Sequence, residues 1–257
     1  MKSKNTRRAA WLGALLGTIL AAIPAVAANL QENFEKTYPV AANVRVSLSN
    51  INGSVEISTW DRNEVKIEAV KYADSQEKLS RMKIEVQAGN DSVAIKTKLP
   101  DGTNNNPGSV EYEIHVPRGA RLDKIDTVNG SVEVSGSHGP VRVSSVNGKV
   151  TGRGLTGDIE LSTVNGKVDC EAVDLSSAQK VKLSTVNGSV ELSMPRDSNA
   201  HLTASTVHGR ISSDFSLPIK RGFVGSNLNT TLGSGGARVE LTSVNGGISI
   251  HSGAKGL

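Results

Sequence analysis

Few residues in this sequence could do chemistry, and they are scattered. Gly152, Gly154 and Gly157 spell the Gly-x-Gly-x-x-Gly of a dinucleotide site. That motif works only when a helix N-terminus follows it to hold the pyrophosphate. Here Asp158-Ile159-Glu160-Leu161 follows, an alternating strand pattern, so these glycines are expected to turn a corner. Gly233-Ser234-Gly235-Gly236 lacks the Lys and Ser/Thr of a phosphate loop and reads as punctuation. The five histidines, at 115, 138, 201, 208 and 251, show no metal-ligand spacing. The Gly-Gly-x-Gly-x-Asp nonapeptides of a calcium β-roll do not occur. A serine–histidine–aspartate triad would have to assemble from distant positions, and the many Ser and Thr are accounted for by corners and outer faces. Cys170 alternates with Val168 and is expected to be a buried structural thiol, since a reactive one needs exposure and a nearby base. A polysaccharide lyase or glycoside hydrolase is the one enzyme class worth weighing. Glu133, Asp169 and Glu191 each stand three residues after a repeated glycine, and stacking could align them as the carboxylate pair that hydrolysis needs. Against it, Lys and Arg are plentiful nearby and aromatics make up only 3% of the chain. No residue is assigned a catalytic, cofactor-binding or metal-ligating role, and no cofactor is expected.

The elements that would position such residues are far more legible. Thr127 to Glu133 and Thr185 to Glu191 are identical, TVNGSVE. Aligned on glycine, the copies fall at Gly53, Gly130, Gly148, Gly166, Gly188, Gly209 and Gly246, with His208 replacing Asn in one of them. From Gly130 onward the spacings are 18, 18, 22, 21 and 37 residues. A period near 20 marks a repeat architecture. The 37 and the earlier gap of 77 are near multiples of that period, so a degenerate copy is expected between Ser213 and Ala237.

Two residues before each glycine stands Ile or Val, from Ile51 and Val128 to Val244, and two after it Val or Ile, from Val55 and Val132 to Ile248. A two-residue Asn-Gly hairpin would pair Val186 with Ser189 and Thr185 with Val190, placing apolar beside polar. A continuous pleat through Val186, Gly188, Val190 and Leu192 keeps the apolar side chains together, with the corner expected at Ser184-Thr185. The fold class read from this is all-β, a single parallel β-solenoid of roughly 20-residue rungs; the alternative is an antiparallel β-sandwich. Stacked rungs explain the repetition. Each completes its neighbour's backbone ladder, and identical Asn side chains can hydrogen-bond up the column. Roughly ten to twelve rungs would make a rod on the order of 50 Å long.

Residues 1–28 read as a secretory signal peptide. Lys2, Lys4, Arg7 and Arg8 precede an apolar run from Ala9 to Ile23, and Ala25-Val26-Ala27-Ala28 offers cleavage after Ala27 or Ala28. The run is shorter than the roughly 18 residues of a spanning helix. All four surplus bases of the +4 chain lie there, so the remainder is formally neutral and carries no excess suited to nucleic acid. Residues 29–257 form the single repeat domain. Asp74 to Met82 is expected as a short helix capped by Asp74, Pro100 to Gly108 as a loop, and Phe215 to Gly236 as an irregular excursion.

The repeated Val-Asn-Gly segments resemble the bacterial β-strand-repeat family called domain of unknown function 4097, labelled as candidate adhesins. Trp60-Asp61-Arg62 before Val65-Lys66-Ile67-Glu68 is similar to that family's early strand. Tyr112 to Gly119, Met194-Pro195 leading to Thr206 through Ile211, and Leu232-Gly233 to Ile250 resemble its later units. The resemblance implies an exported, noncatalytic cell-envelope solenoid, and it supplies no functional residues to carry over. An interaction or structural role is expected, in the periplasm or at the cell surface. The expected partner is another envelope protein or a glycan, met through an extended polar face or the loop at Asn104-Asn105-Asn106.

Overall fold

The computed structural model describes residues 30–100, 107–222 and 224–253. The expected signal peptide, the Asn104–Asn106 tip and the last four residues lie outside them. In chain order the strands are β1 (Leu30–Pro39), β2 (Arg45–Ser49), β3 (Val55–Trp60), β4 (Glu64–Ala73), then a short helix α1 (Gln76–Arg81), β5 (Lys83–Ala88), β6 (Ser92–Lys98), β7 (Ser109–Pro117), β8 (Arg121–Asn129), β9 (Val132–Ser135) and β10 (Val141–Asn147). They continue as β11 (Val150–Thr156), β12 (Ile159–Asn165), β13 (Val168–Asp174), β14 (Lys180–Asn187), β15 (Val190–Pro195), β16 (Ala200–His208), β17 (Ile211–Ser213), β18 (Lys220–Arg221), β19 (Ser226–Leu232), β20 (Ala237–Asn245) and β21 (Ile248–Gly253). Among the described residues no helix is long and apolar enough to cross a membrane.

These strands form two facing sheets, of ten and eleven strands. Each repeat contributes one strand to each, with Asn-Gly at the corner between them: β8 leads to β9, β10 to β11, β12 to β13 and β14 to β15. Equivalent strands pair parallel and in register, so Asn129, Asn147, Asn165 and Asn187 stack directly. The parallel solenoid is therefore the fold, and the antiparallel sandwich is not. Antiparallel pairing is confined to the ends, where β1 and β4 run on to β7, β5 pairs with β6, and β18 and β19 follow β16.

Half of the expected apolar set is inside. The residues two after glycine, including Val55, Val132, Val150, Val168, Val190, Ile211 and Ile248, are buried. Those two before it are not: Ile51, Val128, Val146, Val164, Val186 and Val207 are 37–44% exposed. The expected corner at Ser184-Thr185 is also wrong. β14 alternates without a break, so Val181, Leu183 and Thr185 point inward and Val186 points out.

The reason is a polar requirement at the corner. Where the chain bends at Asn-Gly, the glycine carbonyl needs a donor, which the inward hydroxyl of the next rung supplies. Ser145, Thr163 and Thr185 donate at 2.9 Å to the carbonyls of Gly130, Gly148 and Gly166. Ser243 and Thr206 do the same to Gly188 and Gly246. A valine there would take the donor from a part-buried carbonyl, at a cost of about 1–3 kcal/mol. In the first copy Asn50 replaces the hydroxyl residue. Its Nδ2 donates to the carbonyls of Gly53 and Val110, and its Oδ1 accepts from Thr97 at 2.9 Å. Because Asn50 has taken the Gly53 carbonyl, Thr127 Oγ1 above it is buried without a partner.

Glycine itself is required by close stacking. A Cβ on Gly166 would collide with the carbonyl oxygen of Gly148, and one on Gly148 with that of Gly130. Rungs in van der Waals contact at the bend leave no room for a side chain.

Among the seven glycine-aligned copies, stacking order departs from chain order once. β20 lies between β14 and β16, so the copy at Gly246 sits between those at Gly188 and Gly209. No degenerate copy fills the gap from Ser213 to Ala237. There β19 doubles back antiparallel along β16, and the chain returns to insert its last rung. The helix is present, but its N-cap is Ser75, whose side chain accepts from the Lys78 N–H at 3.3 Å. Asp74 instead pairs with Lys78 Nζ at 2.7 Å.

Cys170 is buried in the shared interior as expected, and burial pushes its thiol up to about 12. The folded value lies above the unfolded one. The neutral thiol thus favours the fold below pH about 9, and that contribution is lost as pH rises towards 12. Iodoacetamide at pH 8 is expected to label Cys170 only in denaturant; stoichiometric labelling of the native chain, read by mass, would place the thiol outside the core. The hydroxyl column gives a paired test by chemical denaturation. Thr163→Val, which orphans the Gly148 carbonyl, is expected to lose about 1–3 kcal/mol, whereas Thr127→Val, which removes an unpartnered hydroxyl, should be neutral or stabilising.

Candidate functional site

Each corner presents two columns side by side. The first is an amide ladder. Asn129 Nδ2 donates to Asn52 Oδ1, Asn147 to Asn129 and Asn165 to Asn147, each at 2.8 Å, and the series continues through Asn187 to Asn245. Asn52 closes one end by donating to the Gly108 carbonyl at 2.9 Å. His208 pairs in register with Asn245 at the other, so it terminates the column. The second column is the exposed Ile and Val series. Alternation leaves these side chains no inward position, because the inward one is taken by the hydroxyl that caps the glycine carbonyl. The result is a straight ridge, polar on one flank and aliphatic on the other.

The acids singled out from the sequence do share one outward row of the ten-stranded sheet. Glu133 is followed by Thr151, Asp169 and Glu191 on successive strands. They face cations and not one another. Arg153 reaches Glu133 at 3.2 Å; Lys149 and Lys167 reach Asp169 at 3.3 and 3.7 Å; Lys167 reaches Glu191 at 2.6 Å. A hydrolytic pair needs one carboxyl held protonated by apolar or like-charged surroundings, and a lysine between two carboxylates does the opposite. Gly152 to Gly157 runs through β11 straight into β12, so no helix N-terminus follows it.

That row extends further than the repeats predict. Glu35 on β1, Glu68 on β4, Glu113 on β7 and Glu56 on β3 precede Glu133 as direct neighbours in register. Along β7, His115 shares the outer face with Glu113. Its Nδ1 lies 2.7 Å from Ser58 Oγ on β3, and its Nε2 lies 3.4 Å from Glu113 Oε1 and 3.7 Å from Glu68 Oε2. Trp60 stacks on the imidazole with ring centres 5.1 Å apart. Beside these groups runs an open groove of about 400 Å³ whose walls include Glu56, Glu68 and Glu113.

The hydroxyl–imidazole–carboxylate chain has the composition of a nucleophilic triad. Acyl transfer also needs N–H donors aimed at a developing oxyanion. Around Ser58 the neighbouring strands pair on both sides of β3, which commits the backbone N–H groups to the ladder. Ser58 therefore orients the ring. Sequence reasoning missed this cluster because Lys66-x-Glu68 and Glu113-x-His115 are ordinary outward alternations. Only the antiparallel register of β4 against β7, made outside the repeats, brings them together.

Elsewhere, exposed pairs pin the chain locally. Arg118 holds the Asp61 carboxyl below its usual value through bonds at 2.6 and 3.2 Å. Asp214 is lowered by the Ser252 N–H and by His251.

Among curated proteins none matches the chain. Solved structures similar to it include a candidate cell adhesion protein from Clostridium sporogenes, at 15% identity and a TM-score of 0.48, over 86% of this chain and 100% of that one. A candidate adhesin from Bacteroides fragilis is similar at 11% identity and a TM-score of 0.37, over 86% and 97%. A candidate lipid-binding protein from Parabacteroides distasonis has 11% identity and a TM-score of 0.31, over the same shares. The Toastrack DUF4097 family model matches residues 36–251, nearly all of the solenoid, and the chain belongs to that family.

Proposed function

We propose that this Toastrack protein is an exported, noncatalytic interaction module of the cell envelope that binds another envelope protein along the corner ridge. The observation that carries the reading is the aliphatic column at 37–44% exposure beside the amide ladder. Contiguous exposed apolar surface rimmed by polar groups is a mark of protein recognition. Its rungs are hydrogen-bonded on both sides, so the ridge is ordered before a partner arrives and little conformational entropy is lost on docking. Glu133, Asp169 and Glu191 are each paired with Lys or Arg, which favours a structural role for these three over cleavage of carbohydrate.

Export follows from the basic and apolar leader, and the exported chain is expected to begin at Ala28 or Asn29. N-terminal mass spectrometry of the envelope fraction reads this directly; an intact leader, or a chain confined to the cytoplasm, would refute it. For the ridge, a photo-crosslinking residue at Val164 should give a discrete protein adduct in intact cells, while one at Lys182 on the flat outer face should not. The adduct should weaken at least tenfold when Val146 and Val186 are replaced by Ser. Equal adducts at both positions, or none at Val164, would remove the ridge from the function.

A further inference from the structure

We propose that Glu68, Glu113 and His115 form a binding site for a divalent transition-metal ion, with zinc the ion it fits best. The site lies on the outer face of the ten-stranded sheet and is independent of the ridge.

The donor geometry comes first. Ligand atoms about 2.0–2.2 Å from a tetrahedral ion stand roughly 3.3–3.6 Å apart. His115 Nε2 lies 3.4 Å from Glu113 Oε1 and 3.7 Å from Glu68 Oε2, and all three donor atoms lie within 4.8 Å of one another. Small carboxylate rotations complete three corners of a tetrahedron. Glu68 and Glu113 also line the open groove, which leaves room for water or a ligand from a partner at the fourth.

The imidazole is also oriented as a ligand. A ligating histidine donates its other ring N–H to a fixed acceptor, which sets the tautomer and aims the bare nitrogen at the metal. Ser58 Oγ stands 2.7 Å from Nδ1, where it accepts that proton in the Nδ1–H tautomer, and Trp60 stacks on the ring face. Two neighbouring strand residues therefore hold His115 with Nε2 towards the carboxylates.

Charge supplies an independent reason. Glu68 and Glu113 are direct cross-strand partners, an arrangement in which like charges destabilise the sheet. Glu56 continues the row beside Glu113. Lys66 serves Glu35 and Glu68 Oε1, at 3.0 and 2.8 Å, which leaves Glu68 Oε2 for another cation. At the far end Arg153 serves Glu133. Among the described residues Glu113 has only His115 as an ion-pair partner, and Glu56 has none. A dication between Glu68 and Glu113 relieves the repulsion where the lysine and arginine do not reach. The mixed nitrogen and oxygen set suits zinc better than calcium or magnesium, which take oxygen ligands.

The test is a competition titration of zinc against a chromogenic chelator, using the chain without its leader. One equivalent is expected to bind, and His115→Gln or Glu113→Gln should each weaken it at least tenfold. Ser58→Ala touches no metal and should weaken it about tenfold through loss of ring orientation. Circular dichroism of the metal-free variants verifies that each is folded. X-ray absorption of the zinc-loaded wild type should show one imidazole among oxygen donors. Failure of the wild type to bind one equivalent in the micromolar range, wild-type affinity in either ligand variant, or a shell without imidazole would overturn the assignment. Because the ridge is not involved, the outcome leaves the crosslinking result untouched.

Discussion

The whole molecule rests on the contact between glycine corners of successive rungs. There the backbone of one rung lies against the carbonyl of the next, closer than any side chain would allow. Two consequences follow at once. The position must be glycine in every copy, and the carbonyl it exposes must be paired from inside, which draws Ser or Thr to the place three residues earlier. A hydroxyl in the core would ordinarily count against a strand's buried face. Here it is the partner that lets the chain pass from one sheet to the other without an orphaned acceptor. Once the hydroxyl has the inward position, period-two alternation forces the next residue outward. The exposed valine and the laddered asparagine are thus by-products of the same corner, and the repeated Thr-Val-Asn-Gly is one physical solution written out residue by residue.

A stack built this way has open ends, and parallel strands at an edge invite further pairing. The ends are where the chain abandons the repeat. At one end β1, β4 and β7 run antiparallel, and β1 carries Glu32, Glu35 and Lys36 along its exposed edge. The eleven-stranded sheet ends in β5, with Lys83 and Glu85 exposed, and at its other edge in the two-residue β18, Lys220-Arg221. Charge and shortness both discourage edge-to-edge growth. The late insertion of β20 between β14 and β16 serves the same end, because the C-terminal rung is buried inside the stack and β16 is covered by β19.

Much of this was legible in the sequence. The period, the parallel register, the asparagine ladder and the buried cysteine all follow from columns that repeat at fixed offsets. The face of Val186 did not follow. Hydrophobicity alone argues for placing valine inside and threonine outside, and only the hydrogen-bond requirement of the glycine carbonyl reverses them. The same column held a clue in Asn50, since an amide in a position otherwise reserved for Ser and Thr points to hydrogen bonding within the core. The stacking order was illegible for a different reason. Nothing local distinguishes a rung that adds to the end from one that inserts, and the antiparallel return of β19 decides it through pairing across many residues. The Glu68, Glu113 and His115 cluster was hidden likewise, because its members come from strands outside the repeat whose mutual register has no sequence mark.

These differences bear on where function can reside. Within the repeats the outward columns are periodic, and acids that fall in register are served by bases on flanking positions. Lys167 between Asp169 and Glu191 shows how regular stacking neutralises charge. Periodic surface can recognise by shape and by repetition along a line, which suits a ridge met by another protein. It is poorly suited to gathering unlike groups at a point. Such convergence needs strands that break the register, and the antiparallel pairing of β4 with β7 does so beside the first rungs. A carboxylate pair that costs stability by repulsion, next to an imidazole fixed on its far side, is a local departure from the neutral surface that the rest of the rod maintains. The solenoid therefore divides its surface in two: a regular part whose chemistry is dictated by the corner, and a capping part free of that constraint, where a specific site can be assembled.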